Sequence, residues 1–412
     1  MNQAVTDGGE RASAVVHSGK YIIGGEARCG GEPLTRLKFR LLFDRLNPGE
    51  RATLETAATG TAMNTPLAGA HLAAGAKIGV WFGCALPDYF GDPAAEYRSA
   101  RETVALIDKS YRAYLSFTGP DRVRYLNAIL TNNIKDLPAD YGIISLLLNP
   151  QGHILAEIET YAFANRLLCV SYAMIRSRLI EWLEKYIIMD DVTLTDETPR
   201  YGTLALEGPK AAAIVKELSG ADLTKFDDLS CHEGAVGSIP CWITKRSPGG
   251  VPGAEFFAAV EKLAELWQVL LDAARWHGGG PTGYTALSGL RLAQGAPWFG
   301  YDFSEKQIPH EAGLQDSHIS YTKGCYTGQE IVERVRSRGQ VNRQRVRLGF
   351  SGDVVPEPEA PLTFGGKEMG YVTRAARTWD PPRILGMAYV RKEATVPDTV
   401  LQWAGGTATV MK

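Results

Sequence analysis

The chain has 412 residues, of which 45% are hydrophobic, enough to bury one large core or several smaller ones. Its 44 Lys and Arg against 46 Asp and Glu leave a formal net charge of −2, so no overall field favours nucleic acid or a membrane as a partner. No apolar run reaches the roughly 18 residues that span a bilayer. The six cysteines lack CxxC spacing, which argues against a zinc site, an autonomous iron–sulfur site or a disulfide framework and predicts a cytoplasmic protein.

The first 62 residues differ in composition from the rest. They are rich in Gly, Ala, Thr and charge, and no sustained apolar period would bury a face. We therefore expect residues 1–62 to be a disordered or loosely ordered N-terminal extension. Met63 begins a stretch, MNTPLAGAHLAAGAKIG, that resembles an ordinary protein start, so one hypothesis is that translation begins there.

From Met63 onward, helical and strand patterns alternate. In chain order the spacing predicts a helix over 96–106, a strand over 108–117, a helix over 122–131 with Asp121 as its N-cap, a hairpin of strands 143–148 and 154–163, a strand over 167–172, a helix over 175–186, a strand over 201–207, a helix over 210–218 and a long helix over 256–276.

The order strand, Gly-Pro, helix occurs twice in this pattern. Gly119-Pro120 and Gly208-Pro209 each separate a predicted strand from a predicted helix, about 90 residues apart. Two related units with antiparallel sheets explain this doubling better than a doubly wound parallel fold, so the predicted class is α+β. Short β-rich pieces separated by Gly, Pro and Asp predict a small all-β barrel over 341–412, after a two-unit region over 63–340.

The segment KGCYTGQEIVERVRSRGQVNR, residues 323–343, is the most informative part of the chain. It places Cys325 between Gly324 and Gly328, with an amide, a carboxylate and several arginines following. Glycines let another backbone approach the thiol closely, and cationic neighbours favour the thiolate form of a cysteine. The alternative is a glycine turn that leads into a solvated basic helix and carries a structural cysteine.

These motifs resemble the superfamily of folate-binding proteins that contains the glycine-cleavage T protein (aminomethyltransferase) and the YgfZ-type iron–sulfur assembly proteins. The resemblance covers residues 63–412 and includes Thr65-Pro66-Leu67, the TNN stretch at 131–133, both Gly-Pro turns and the GLRL stretch at 289–292. The eight residues KGCYTGQE resemble the signature of the YgfZ-type branch, whereas aminomethyltransferases carry an Asp-Phe-Ile-Gly-like stretch there.

The resemblance implies a ring of domains around a central channel that binds tetrahydrofolate. It also implies a monomeric accessory protein that supports iron–sulfur cluster assembly or repair, for example for enzymes that thiolate tRNA. Reduced folate and iron–sulfur client or assembly proteins are the expected partners, with no membrane and no direct contact with nucleic acid.

The stretch GHILAEIETY resembles the GGxxDDLxVY stretch of the aminomethyltransferases, which places Glu157 at the carboxylate four residues before Tyr161. The resemblance implies that Glu157 contacts the folate, where a carboxylate can hold a proton or stabilise an iminium-like charge. The alternative interpretation is that Glu157 is only a polar position on the exposed face of a half-exposed hairpin. Tyr161 is expected either to stack on the pterin or to pack in the core.

Arg291 lies just before a loop in the stretch LRLAQG, where the family commonly has an acid two residues later. That position is Ala293, which removes an expected partner for the pterin, although Gln294 follows it. His71, His153, His310 and His318 show no metal-ligand spacing, so no metal site is predicted and they are interpreted as surface or loop residues.

Cys325 is the strongest single candidate for a working residue. Three roles are open for it: a redox or sulfur-handling thiolate, one ligand of a transient iron–sulfur cluster, or a structural cysteine. In the second role a partner must complete the cluster, because one thiol cannot supply the roughly four ligands that a cluster needs. Lys323 and Arg334 either promote the thiolate or bind the polyglutamate tail of a folate. Tyr326 offers a stacking face.

Three functions compete on these residues. The first is a YgfZ-like accessory protein that works through the Cys325 loop. The second is an aminomethyltransferase that moves a one-carbon unit to tetrahydrofolate, against which Ala156 and Ala293 count because they replace expected carboxylates. The third is an RNA-binding patch over 334–343, which lacks the interleaved aromatic residues that stacking requires.

Overall fold

The computed structural model describes residues 62–339 and 341–412, together with short strands between residues 4 and 33. These strands pair as three hairpins: β1 (Ala4–Asp7) with β2 (Glu10–Ser13), β3 (Val15–His17) with β4 (Lys20–Ile22), and β5 (Arg28–Cys29) with β6 (Glu32–Pro33). The predicted disorder of residues 1–62 falls mostly outside the described residues, and both it and the hypothesis of a start at Met63 stay predictions.

Residues 63–196 form a three-stranded sheet followed by the first unit. Their elements are β7 (Met63–Asn64), α1 (Ala68–Ala73), β8 (Lys77–Trp81), β9 (Cys84–Tyr89), α2 (Pro93–Glu102), β10 (Ala105–Asp108), β11 (Arg112–Thr118), α3 (Arg122–Ile129), β12 (Gly142–Leu148), β13 (Ile154–Ala162), β14 (Leu167–Tyr172), α4 (Arg176–Glu184) and β15 (Thr193–Asp196).

The second unit and a set of connecting helices follow. Their elements are β16 (Tyr201–Glu207), α5 (Ala211–Ser219), β17 (Cys231–Val236), β18 (Ile239–Lys245), β19 (Gly253–Ala259), α6 (Val260–Trp276), β20 (Gly280–Pro281), α7 (Tyr284–Gln294), α8 (Pro309–Ala312), α9 (Gln315–His318) and α10 (Gln329–Arg338).

The predicted doubling of two α+β units is confirmed. The first sheet has the order β12-β13-β14-β11-β15, and the second has the order β17-β18-β19-β16-β10-β20. Both Gly-Pro turns need glycine for the same reason: Gly119 has φ +96° and a Cβ there would lie 2.2 Å from Asp191 O, while Gly208 has φ +138° and a Cβ would lie 2.6 Å from Thr103 O. The repeated motif is therefore a repeated steric requirement.

The predicted strand over 108–117 is wrong, because two strands share that stretch. The first, β10, pairs with β16 in the second sheet, whereas β11 pairs with β14 and β15 in the first. The chain turns where the side chain of Asp108 accepts a 2.9 Å hydrogen bond from the Ser110 amide, an Asx-type turn. This crossing places Lys109 and Arg112 at the junction of the two sheets.

Two predicted helices also differ from the structure. The helix predicted over 96–106 is α2, which ends at Glu102, and the helix predicted over 256–276 begins only at Val260, because Phe256 lies in β19. Apolar runs beside a helix carry no period that separates them from a buried strand. Asp121 is the N-cap residue of α3, as predicted, but its side chain makes no capping hydrogen bond and accepts one from the amide of Asp191 instead.

The two sheets face each other, with helices on their outer sides. Helices α3 and α4 pack on the first sheet, and α5 and α6 on the second. Between the sheets, Tyr114, Tyr161 and Val170 meet Cys231 and Phe257, all at most 2% exposed. Each such large apolar side chain contributes about 1.5–3 kcal/mol by its burial.

The C-terminal barrel is confirmed as a closed barrel of six strands. They are β21 (Arg343–Phe350), β22 (Pro361–Phe364), β23 (Lys367–Trp379), β24 (Pro382–Arg391), β25 (Val400–Trp403) and β26 (Gly406–Val410). Helix α7 packs closely against it: a Cβ on Gly289 would lie 2.7 Å from Arg377 O. Within the described chain, no helix has the length and apolar character that a membrane crossing requires.

Candidate functional site

A cavity of about 390 Å³ lies where the two sheets, α7, the segment with α8 and α9, and strand β21 meet. Its volume falls in the range of about 300–1,000 Å³ that ligand sites occupy. The side chains that line it come from residues 109 to 345 of the chain. No single element could form this site.

A chain of charges that alternate in sign runs along one wall of the cavity; all its members except Glu207 line the cavity, and all except Arg246 are buried. In order along the wall, its members are Arg291, Glu207, Lys109, Glu255, Arg112, Glu159 and Arg246. The Lys109 Nζ lies 3.0 Å from Glu207 Oε1 and 2.6 Å from Glu255 Oε1. Four positive groups against three negative ones leave one net positive charge.

The central arginine joins two carboxylates from different sheets. Arg112 Nη1 lies 2.8 Å from Glu255 Oε2 on β19 and 3.1 Å from Glu159 Oε2 on β13. Arg246 then closes the chain, with Nη2 at 3.0 Å from Glu159 Oε1. These pairs connect the two units of the fold electrostatically.

Two carboxylates of this wall, Glu159 and Glu207, stay ionised near neutral pH. Burial opposes ionisation of Glu159, but Arg112 and Arg246 outweigh it and hold the pKa of this carboxyl well below its ordinary value. Burial opposes ionisation of Glu207 in the same way, and Arg291 and Lys109 lower its pKa more than burial raises it. The wall is therefore a fixed array of charges that a ligand meets already in place.

Glu157 lies beside this wall and faces the cavity from β13. His318 Nε2 is 3.0 Å from Glu157 Oε1, and the Tyr172 hydroxyl donates to Glu157 Oε2 over 2.8 Å. Nδ1 of the same imidazole lies 2.7 Å from the Ser317 hydroxyl. Glu157 is thus held in place by two side chains and linked through His318 to a third.

The two alanines that counted against transfer chemistry do not face the cavity. Alternate residues of a strand point to opposite sides of a sheet, and Ala156 packs in the apolar core with Ile158 and Leu179. Ala293 is exposed and absent from the cavity lining, whereas its neighbour Gln294 lines the cavity. Carboxylates at positions 156 and 293 would not reach a ligand in this cavity.

Of the other predicted ligand contacts, Arg291 lines the cavity and Tyr161 does not. Arg291 is 4% exposed, pairs with Glu207 and donates to Gln294 Oε1 over 3.2 Å. Tyr161 packs its ring on Phe257 between the sheets and is absent from the lining. Its hydroxyl donates to Glu159 Oε2 over 2.9 Å, so it supports the charged wall from behind.

The Cys325 loop lies outside the cavity and is fastened at several points. Lys323 Nζ donates to the backbone oxygens of Asn127, Leu130 and Asn132, at and just beyond the C-terminal end of α3. Tyr326 is 6% exposed and packs in the apolar cluster below the loop. Cys325 itself is exposed to solvent.

The loop cations therefore do not gather around a folate in the cavity. Burial lowers the pKa of Lys323 to about 8, so at neutral pH it is still mostly an ammonium whose three donors match three carbonyl oxygens. Arg334 is an exposed residue of α10 and does not line the cavity. The structure separates Cys325, Lys323, Tyr326 and Arg334 from Glu157 and Arg291.

Two histidines interpreted from the sequence as surface residues are buried, so that interpretation is wrong for them. His318 is 7% exposed because its ring holds Glu157. His71 is fully buried, with Nε2 at 3.4 Å from Asp108 Oδ2 and its ring edge-on to Trp267. Burial lowers the pKa of His71, so its imidazole is neutral near pH 7. In the described part of the chain, no group of three or more His, Cys, Asp and Glu could hold a metal ion.

Sequence reasoning missed most of the charged wall. Lys109, Arg112, Glu207, Arg246 and Glu255 lie scattered over 147 positions, from 109 to 255. One signal was available: Glu207 and Glu255 each interrupt an apolar strand, in TLALEGP and GAEFFAAV, and a charge there is rarely buried without a partner.

Comparison with known proteins defines the class. A family model described as the GCVT N-terminal domain matches residues 67–318. Among curated relatives, an aminomethyltransferase of Moorella thermoacetica is 30% identical over 311 residues, covering 75% of this chain and 84% of the relative. An aminomethyltransferase of Streptomyces avermitilis is 27% identical over 339 residues, covering 82% and 91%.

A solved structure shares the fold. The glycine cleavage system aminomethyltransferase T from Bartonella henselae superposes with a TM-score of 0.77 at 23% identity, covering 85% of this chain and 97% of that one. The chain belongs to the GCVT family.

Proposed function

We propose that this protein binds tetrahydrofolate in the central cavity and transfers a one-carbon unit to it as an aminomethyltransferase, with Glu157 as the catalytic carboxylate. The observation that carries the proposal is the placement of Glu157, which faces the cavity and is held by His318 and Tyr172. The curated relatives named aminomethyltransferase support the same chemistry, and aminomethyltransferases use tetrahydrofolate.

The lining suits a flat, polar ligand that carries negative charge. Tyr111, Tyr172 and Trp298 offer aromatic surface, and the charged wall offers donors and acceptors at fixed positions for the edge of a pterin. The excess of one positive charge in the wall favours an anionic ligand, and a reduced folate carries carboxylates at its glutamate end.

The groups around Glu157 define what this carboxylate can do. Its two donors fix the orientation of the oxygens, which orients them toward a single reacting centre. A carboxylate in that position accepts a proton or offsets positive charge as the one-carbon unit passes to the folate. His318 and Ser317 extend the hydrogen-bonded chain by two groups beyond the carboxylate.

Glu157→Gln tests the proposal, because glutamine keeps the shape and loses the charge. We expect transfer of the one-carbon unit to tetrahydrofolate to fall roughly 10²- to 10⁴-fold, while the affinity for 5-formyltetrahydrofolate changes only a few-fold. Glu233→Gln, at an exposed position of β17, is the matched control and should keep full activity. Full activity of Glu157→Gln, or no folate binding by the native chain, would reject the proposal.

The Cys325 loop favours a second candidate function, support of iron–sulfur cluster assembly in the manner of the YgfZ-type proteins. The observation behind it is that the anchored loop displays an exposed thiol away from the cavity, where a partner protein can reach it. A single thiol leaves about three cluster ligands for that partner to supply.

Cys325→Ala separates the two candidates. We expect this variant to lose rescue of an iron–sulfur assembly defect while it keeps folate affinity and folded stability. Gly324→Ala is the control in the same loop, since no atom lies within 4 Å of the added Cβ. Undiminished rescue by Cys325→Ala would remove the thiol from the function.

A further inference from the structure

Arg345 differs from the other cations of the central cavity. Lys109, Arg112, Arg246 and Arg291 line the same cavity, and each contacts a carboxylate. Arg345 also lines it, from β21, yet has no ion-pair partner among the residues that the structure describes. A guanidinium at a cavity wall without a counter-charge is costly unless an anion joins it.

The contacts of Arg345 hold the side chain without neutralising it. Its Nε donates to Ala312 O over 2.8 Å, and its Nη1 lies 3.3 Å from the weak acceptor Met387 Sδ. Its Nη2 makes no hydrogen bond within the described chain. Arg345 is half-buried in the cavity wall, and burial lowers its pKa.

Asp302, the acidic residue whose charge acts most on Arg345, is already paired with another arginine. Asp302 receives Arg374, with Nη2 at 2.6 Å and Nε at 3.1 Å from Oδ2, and it also accepts from the Trp298 amide. A carboxylate engaged by two nitrogens of one guanidinium does not serve a second one well. Within the described chain, Arg345 therefore has no carboxylate to pair with, and an anionic group of a ligand can take that place.

We propose that Arg345 binds a carboxylate of the ligand in the central cavity. The inference rests on the proposed function and specifies it, because it assigns a place to the acidic end of the folate. A planar guanidinium with a free nitrogen matches a carboxylate better than any neutral group of the lining does.

The positions of the two ends limit the class of ligand. His318, at the end of α9, contacts Glu157, whereas the carbonyl of Ala312, at the end of α8, contacts Arg345. Gly313, with φ +66°, separates these two short helices. A reduced folate carries its glutamate carboxylates at the end remote from its reactive nitrogens, so it can offer a carboxylate to Arg345 while its reactive end lies at Glu157.

The test compares two ligands on matched variants of the full chain. Calorimetry measures binding of 5-formyltetrahydrofolate and of its bis-carboxamide, in which both glutamate carboxylates are neutral, to the native chain and to Arg345→Gln. Arg347→Gln is the control, since this arginine lies two residues along the same strand and donates to backbone oxygens of Ala293 and Lys412.

We expect Arg345→Gln to weaken the dicarboxylate roughly ten- to hundredfold and to leave the bis-carboxamide unchanged, whereas Arg347→Gln alters neither. If the glutamine variant fails to fold, Arg345→Lys replaces it, and a smaller loss confined to the dicarboxylate is expected. Equal losses for both ligands, or no loss, overturn the role of Arg345 alone. Absence of binding of either ligand to the native chain overturns the proposed function and this inference together.

Discussion

Single residues set the character of the cavity, because seven ionised side chains share one buried wall. Removing such charges from water costs several kcal/mol for each ion, and only close pairing recovers that cost. Glu255 shows how tightly the pairing is balanced, since it contacts Lys109 at 2.6 Å and Arg112 at 2.8 Å and is 1% exposed. Its carboxylate holds a cation on each side.

Glu255→Gln should therefore destabilise the protein strongly although the side chain keeps its size. The change leaves Lys109 and Arg112 short of a negative partner in a buried place, and we expect a loss of about 3 kcal/mol in the free energy of unfolding. Urea unfolding followed by circular dichroism measures it. The exposed Glu233→Gln should lie within about 0.5 kcal/mol of the native chain. Equal midpoints for the two variants would contradict this account of the wall.

Glu157 marks how far a single residue can be assigned from sequence. The resemblance of its stretch to that of the aminomethyltransferases, four residues before Tyr161, identified it as a candidate, and it lines the cavity. The same alternation could have shown that Ala156 faces the other side of the sheet. Its partner His318 could not be found, because 161 residues separate the two and nothing in the local sequence links them.

At the scale of elements, the Cys325 loop and the hairpin β12–β13 fit together through two glycines. A Cβ on Gly328, which has φ +81°, would lie 2.6 Å from Asn149 O at the hairpin turn. A Cβ on Gly152, which has φ +77°, would lie 2.9 Å from Ile331 of α10. The loop therefore rests on the turn of the hairpin whose second strand carries Glu157.

Gly328→Ala should loosen this contact. The alanine has both an unfavourable backbone conformation and a clash with a backbone oxygen, so we expect a loss of about 1–3 kcal/mol and faster hydrogen exchange over residues 323–331. Gly324→Ala in the same loop meets no atom within 4 Å and should change neither quantity. Native-like exchange in Gly328→Ala would show that the loop does not depend on this docking.

At the scale of the whole molecule, the wall connects the two sheets, and α7 extends the connection toward the barrel. Arg112 bridges Glu159 of the first sheet and Glu255 of the second, and Arg291 brings α7 to Glu207. Loss of charge at these carboxylates should therefore weaken the packing of the two units against each other, and not only the contacts of single side chains.

Acid unfolding tests this coupling. The pKa values of Glu159 and Glu207 lie below the ordinary value of 4.5, at about 2 in the folded protein. Their contribution is therefore fully present above about pH 4.5 and is lost as the pH falls toward 2, by a few kcal/mol in all. Urea midpoints measured at several pH values should fall across this window. Glu159→Gln should flatten the decline, whereas a curve parallel to that of the native chain would contradict the assignment.

The sequence by itself determined the repeated units, the Gly-Pro turns, the barrel and the hairpin that carries Glu157, since local periodicity and steric needs of single residues suffice for these. It also predicted Arg291 and the family. Only the tertiary structure decided that residues 108–117 divide between two sheets, and that His318, Arg112 and Glu255 converge on one cavity. It also separated Cys325 from that cavity. Such contacts depend on how distant segments pack, and pairing energies between them leave no trace in the spacing of neighbouring residues.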